Sequence, residues 1–331
     1  MSEGDAAMDV FVTGGSGFVG GRLVEALVTR GDRVRALARS DRSAGKVEAL
    51  GAEAVRGDLS SVDAMAAGMD GCELAFHAAA KVDHWGRRED FRAVNVEGTA
   101  NVVDAARHAG VNRLVHVGTE AALVDGSPMV NVDETRPLPE HPIGLYPWSK
   151  GAAERIVREA NGPDLTTVVT RPRFVWGLGD TTLLPQISDA VRDGKFAWVD
   201  GGHYQTSTCH VANVVEGLLL AAEHGRGGEA YFLTDGEPVE FREFLTDMLR
   251  TQGVEPGDRE IPWWLVYRLA SGAEFLWSAL RLSSEPPLTR TMLLLSSREM
   301  TVDDTKARRE LGYVGKVSIE DGLRELAEAS D

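Results

Sequence analysis

At 331 residues, 43% of them apolar, the chain is long enough to bury a sizeable core in one large domain or in two that share a cleft. A formal net charge of −16 argues against nucleic acid or an anionic lipid surface as the main partner, so any phosphate site has to be a local basic patch. Two cysteines, Cys72 and Cys209, with no CxxC and no His/Cys cluster, exclude a disulfide framework and a thiolate metal site; no metal is expected, and the usage suits a reducing cytoplasm.

The leader MSEGDAAM is polar and lacks the apolar region of a signal peptide, so residues 1–8 are expected to be frayed. A strand is predicted at Val10–Thr13, then the loop TGGSGFVG, then a helix over Phe18–Thr29. Strand-then-glycines-then-helix is the context of a dinucleotide fingerprint, in which backbone N–H groups meet a pyrophosphate at a helix N-terminus. Two glycine counts fit: Gly15, Gly17 and Gly20 as G-x-G-x-x-G, or Gly14, Gly17 and Gly20 as G-x-x-G-x-x-G. Further strands are predicted at Arg33–Leu37, Ala54–Val55, Leu74–Phe76, Leu114–Val117 and Thr166–Thr170. Helices fall between them, notably Phe91–His108 and Trp148–Ala160. Strand and helix in alternation imply right-handed crossovers and a doubly wound parallel sheet, the Rossmann architecture of the α/β class.

After TRPRFVWGLGD the alternation is lost. The expected division is a dinucleotide-binding domain over residues 9–172, with 205–225 returning to it. A smaller α+β substrate lobe takes 173–204 and 226–330. In that lobe Pro262–Leu282 is apolar around most of its circumference. It reads first as a helix buried between lobes; a lid over a greasy substrate or a membrane-skimming face comes second. No uncharged apolar run approaches the ~20 residues of a membrane span.

The chemistry concentrates in LYPWSKGAAER. Tyr146 and Lys150 stand one turn apart on one helix face, and Pro147 suits a first helical position. A phenol titrates near ~10; an ammonium one turn away is expected to lower that value into catalytic range. Thr119, at the end of the strand before this helix, is placed to hydrogen-bond a substrate oxygen.

Together, G-x-x-G-x-x-G, a hydroxyl residue after the fifth strand and YxxxK resemble the extended short-chain dehydrogenase/reductase superfamily, over nearly the whole chain. AAKVDHWG, RPRFVWGLGD, EPPLTR and ELGYVGKVSIEDGL are most similar to its 3β-hydroxysteroid dehydrogenase branch. That branch includes sterol-4α-carboxylate 3-dehydrogenases and 2-alkyl-3-oxoalkanoate reductases. The resemblance favours the count Gly14, Gly17, Gly20 and adds Phe18 and Val19 to the cofactor loop. It implies Asp58 and Leu59 at the adenine, and His77 to Ala80, with Ala78 and Ala79, along the ribose and nicotinamide side. Lys81, Pro172 and Val175 join the cofactor site, as do Tyr146 and Lys150, the latter binding the nicotinamide ribose. Asn95 and Thr99 match the family's Asn-containing helix start. Thr119, Tyr146 and Lys150 form the implied catalytic set. A homodimer through Phe91–His108 and Trp148–Ala160 is also implied.

Two positions depart from common patterns. Ala38, Arg39 and Ser40 end the second strand where NAD-specific relatives carry an acid; an arginine there suits a 2′-phosphate, so NADP(H) is expected over NAD(H). Gly118 and Glu120 stand where many relatives have small residues, with a hydroxyl at the first. The expected activity is NADP(H)-dependent hydride exchange at a secondary alcohol or ketone of a bulky apolar small molecule. A nucleotide-sugar epimerase or dehydratase and a non-catalytic NADP(H) sensor are the alternatives. Elimination needs an acid and a base, and Thr119-Glu120-Ala121 keeps one carboxylate.

Overall fold

The computed structural model describes residues 7–330 except Thr182, Arg281, Ser283 and Pro287; of the leader read as frayed, residues 1–6 lie outside the described residues. Seven parallel strands form the central sheet. They include β1 (Asp9–Thr13), β2 (Arg33–Ala38), β3 (Glu53–Arg56), β4 (Leu74–His77) and β5 (Arg113–Val117), followed by Thr166–Pro172 and Ala230–Leu233. Across the sheet the order is Ala230–Leu233, Thr166–Pro172, β5, β4, β1, β2, β3. Ala230–Leu233, assigned from sequence to the smaller lobe, instead pairs in parallel with Thr166–Pro172 as the far edge. Its AYFL side chains are all buried, which a helix-covered sheet requires and a lobe strand with one wet face does not.

Alternation along β1 shows how the two layers form. Val10 and Val12 face a core shared with Leu23, Val24 and Leu27 of helix α1 (Phe18–Arg30) and with the helix Val211–His224. Phe11 faces the opposite layer, with Met65, Met69, Val102 and Val157. The predicted helix at Phe91–His108 starts earlier, at Arg88, and widens to π-helical geometry over Arg92–Glu97 before Gly98–His108. Such a widened turn re-aims a side chain, here Asn95.

The smaller lobe holds a four-stranded sheet ordered Val239–Glu240, Gln205–Thr206, Met300–Val302, Met129–Val132. Its last strand comes from the segment between β5 and the Tyr146 helix. The helix Trp263–Ala279 is not buried between lobes. Only Val266 and Ala270 are buried on it, packed with Leu293, while Leu269 and Phe275 are 58% and 76% exposed. Among the described residues the helix Arg290–Ser296 packs on the Val266 and Ala270 stripe, Trp263 and Tyr267 are half-buried, and Trp264, Leu265, Leu269, Phe275 and Leu276 are exposed. No helix among the described residues is long and apolar enough to cross a membrane.

Candidate active site

Parallel strands deliver their carboxyl ends to one edge of a sheet, and the loops on that edge carry the candidate residues. After β1, Gly14 turns at φ 76°, and a Cβ there would lie 2.6 Å from the Ala79 backbone nitrogen. On Gly20 a Cβ would lie 2.1 Å from the Gly14 carbonyl oxygen. Gly17 is exposed and donates its N–H to that carbonyl at 2.9 Å, while Gly15 backs onto Ala36, Val24 and Val47. Phe18 and Val19 open α1, whose first turn has no acidic residue and no side-chain cap. A bare helix N-terminus beside a glycine-rich loop fits a dinucleotide pyrophosphate, so the residues present suit the cofactor their pattern implies.

The other loops follow in order. Arg39 is exposed at the end of β2; Ser40 caps the next helix, its Oγ accepting the Ser43 N–H at 3.2 Å. Asp58 Oδ1 accepts the Ser60 hydroxyl at 2.6 Å and the Ser60 N–H at 2.8 Å, and these bonds hold its carboxyl below the ordinary value. Leu59 packs on Gly98. Ala78 and Ala79 donate their N–H groups to the Thr13 carbonyl and hydroxyl at 3.2 and 3.4 Å. Lys81 is pinned through its backbone by both ends of the Asn95 amide, at 2.7 and 2.9 Å, and its ammonium meets Asp83. Pro172 closes its strand opposite Leu233, and Val175 pairs with Cys209.

His77 does not line this edge. It is fully buried, its ring held between Thr13 Oγ1 at 2.7 Å and Thr99 Oγ1 at 2.9 Å. Burial, helped by the Lys150 charge, pushes its pKa down to about 3, so it is a neutral strut beneath the Ala78–Ala79 loop.

Tyr146 and Lys150 lie on the helix Leu145–Glu159. Lys150 is buried and donates Nζ–H to the Val117 carbonyl at 2.8 Å, which ties the helix to the end of β5. Asn95 steadies the same helix by donating to Ser149 Oγ at 2.9 Å. Burial brings the Lys150 amine down to about 8, against the opposing pull of Glu154. The expected lowering of the Tyr146 phenol is not what the structure gives. Burial first, then the Glu120 carboxylate, push it well above its ordinary value, against a hydrogen bond with Thr119. Both causes favour the neutral phenol, the form that can donate a proton.

Gly118 now has a reason. A Cβ there would lie 2.7 Å from the Thr170 carbonyl oxygen, the same oxygen its N–H reaches at 2.7 Å. The adjacent strand leaves no room for a hydroxyl residue, and Thr119 alone carries that group. One neighbour escaped the sequence reading. His84 stands edge-on to the Tyr146 ring, centroids 6.2 Å apart, and no periodicity marks it. Arg173 is buried against Glu120. Beside His84 opens a cleft of about 490 Å³, lined by Trp85, Arg88, Trp148, Glu274 and Arg290 among others.

Residues 11–263 match the model of the 3-beta hydroxysteroid dehydrogenase/isomerase family. The chain is 52% identical to 4-hydroxy-2-methyl-3-oxo-4-farnesyl-3,4-dihydroquinoline-1-oxide ketoreductase of Stigmatella aurantiaca, over 97% of this chain and 96% of that protein. It is 36% identical to 2-alkyl-3-oxoalkanoate reductase of Stenotrophomonas maltophilia, over 98% and 99%. Among solved structures, that of gox2253 superposes with a TM-score of 0.76 at 31% identity, covering 97% of this chain and 98% of that one. The glycine loop, the protonated phenol and these relatives agree: the chain is a nicotinamide-dependent oxidoreductase and belongs to the 3-beta hydroxysteroid dehydrogenase/isomerase family.

Proposed function

We propose that the protein is an NADP(H)-dependent ketoreductase for a bulky, largely apolar ketone of the 2-alkyl-3-keto acid, sterol or prenylated-ring type. The observation that carries this reading is Tyr146 one helical turn from buried Lys150 and close to Thr119, on the strand edge that also holds the glycine loop. When bound, the nicotinamide supplies hydride to the carbonyl carbon. Gly14, Gly17, Phe18, Val19 and Gly20 take its pyrophosphate; Asp58 and Leu59 take the adenine; Ala78, Ala79, Lys81, Pro172 and Val175 border the rest. Tyr146 donates the proton, Lys150 holds the ribose, and Thr119 orients the reacting groups. The cleft beside His84, with Trp85 and Trp148 among its walls, accommodates the substrate body. The curated relatives' names point the same way. A cytoplasmic homodimer completes the reading; two buried free thiols accord with that compartment. Following NADPH absorbance with 2-alkyl-3-keto acids, 3-oxosteroids, prenylated quinolone ketones and UDP-sugars tests it, and turnover confined to the sugars overturns it.

Two measurements sharpen this reading. Arg39, exposed at the end of β2, supports NADP(H) over NAD(H). Arg39→Asp is expected to cut kcat/KM with NADPH on the order of a hundredfold, through loss of a charge-assisted phosphate contact, and to spare NADH. Equal losses with both cofactors refute the assignment. Lys150 acts as an ammonium, and its amine loses its proton as pH rises through about 8. Tyr146 is pushed the other way and stays protonated there. The kcat/KM for ketone is therefore expected to fall above about pH 8 in the wild type, whereas Lys150→Arg removes that limb. A wild-type profile flat to pH 10 sinks the assignment.

A further inference from the structure

Two guanidiniums line the cleft beside His84, and only one of them is neutralised by the protein. Arg290 donates its Nε–H to Glu274 Oε2 at 2.6 Å and its backbone N–H to the other carboxylate oxygen at 2.7 Å. Arg88 has no such partner. Its guanidinium carbon lies 3.8 Å from the centroid of the Trp148 ring. Among the described residues no ion pair joins it to Glu140 or Glu274, the carboxylates of the same cleft. Its neighbours along the chain are matched, Arg87 by Asp90 at 2.6 Å and Arg92 by Glu97 at 2.9 Å. In a chain with 51 acidic residues against 35 lysines and arginines, a cleft guanidinium without a carboxylate has its charge to spare for a ligand. Stacking on the indole fixes the plane of the guanidinium and leaves N–H groups around its edge. That edge suits an oxyanion, met by two parallel charge-assisted bonds where it is a carboxylate. The Trp148 face also keeps water from one side, which strengthens such a contact over one at an open surface. His84 joins this edge to the reaction: it lines the same cleft and meets the Tyr146 ring edge-on at 6.2 Å. Burial lowers the His84 pKa, against the pull of Asp83, so Arg88 supplies the positive charge there at neutral pH.

We infer that Arg88 is a specificity residue that takes an anionic oxygen of the substrate, so that the preferred ketone carries a carboxylate or an N-oxide oxygen besides the carbonyl that is reduced. The inference rests on the ketoreductase reading and narrows it. A 2-alkyl-3-keto acid carries such an oxygen, a quinoline ketone carries one as its N-oxide, and a plain 3-oxosteroid carries none. The proton comes from Tyr146, so Arg88 contributes to binding rather than to proton transfer, and its effect falls on KM more than on kcat.

Removing the charge from the substrate and from the residue in turn tests it. A 2-alkyl-3-oxoalkanoate and its methyl ester are assayed with NADPH in the wild type, Arg88→Met and Arg88→Lys. A prenylated quinoline ketone with and without its N-oxide oxygen makes a second pair. In at least one pair the wild type is expected to favour the charged member by roughly tenfold to hundredfold in kcat/KM, the scale of a charge-assisted hydrogen bond. The pair that shows the preference identifies the oxyanion. In Arg88→Met that ratio is expected to fall to within about twofold of unity, mainly through KM for the charged ketone, with the NADPH KM unchanged. Arg88→Lys keeps the charge without the fork and is expected to hold an intermediate ratio. Equal turnover within both pairs by the wild type overturns the inference. So does a ratio that Arg88→Met leaves unchanged, or a rise in the NADPH KM in step with the loss. Turnover of UDP-sugars with none of any ketone overturns the ketoreductase reading, and this inference with it.

Discussion

Tyr146→Phe is expected to lower kcat by roughly 10²–10⁴-fold, the usual worth of a positioned proton donor, while NADPH binds as tightly as to the wild type. Phenylalanine removes one oxygen and keeps the ring that His84 meets edge-on. The backbone carbonyl of Tyr146, which accepts the Ser149 hydroxyl at 3.0 Å, is untouched. The glycine loop lies on a different element, so the pyrophosphate site is preserved. Burial and Glu120 keep the phenol protonated, and the loss should therefore appear across the whole working pH range. NADPH affinity by fluorescence, with kcat from absorbance, separates the two effects. Unchanged turnover refutes the proton-donor role, and a parallel collapse of NADPH affinity shows that the ring oxygen serves the cofactor site instead.

Glu154→Gln is expected to produce the largest stability loss, about 3–5 kcal/mol, the range for breaking one side of a buried ion pair. Glu154 receives Arg171 in a two-pronged contact, at 2.5 and 3.0 Å, with both side chains at 0–1% exposure. Removing the carboxylate strands a guanidinium whose Nη1 has no hydrogen-bond partner among the described residues, against the Phe232 ring at 5.3 Å. On unfolding curves this corresponds to a melting temperature lower by roughly 5–10 °C. Glu154 also favours the charged form of Lys150, so the alkaline fall in kcat/KM should move to lower pH in the same variant. Glu154→Gln/Arg171→Met is expected to recover most of the stability, because no buried guanidinium is then left without its carboxylate. A single variant that melts with the wild type rules out a structural role for the pair.

Much of this was legible in the linear chain. The predicted strands of the central sheet fell within one or two residues of those seen, because each holds a short β-rich run of Val, Leu, Phe or Ala, whereas Met129–Val132 was not predicted. The glycine-rich turn was legible because a tight turn before a helix writes itself in glycine, though the choice of Gly14 over Gly15 came from the family resemblance; Tyr146 and Lys150 were legible as a pair because one helical turn fixes their relation. Where these signals failed, the deciding partner lay far along the chain. Ala230–Leu233 is strand-like anywhere, and pairing with Thr166–Pro172 assigns it to the main sheet. The helix at Trp263 is apolar on nearly every side, so its composition could not say which stripe Leu293 would cover. The Tyr146 phenol was expected to fall in pKa under Lys150, a local relation; burial and the Glu120 carboxylate, assembled by the fold, reversed the sign. Glu120 and Arg173 are 53 residues apart. Local pattern is enough for elements and for groups one turn or one loop apart, since backbone geometry alone relates them. Which charges are buried together depends on packing between distant segments, and only the folded chain settles it.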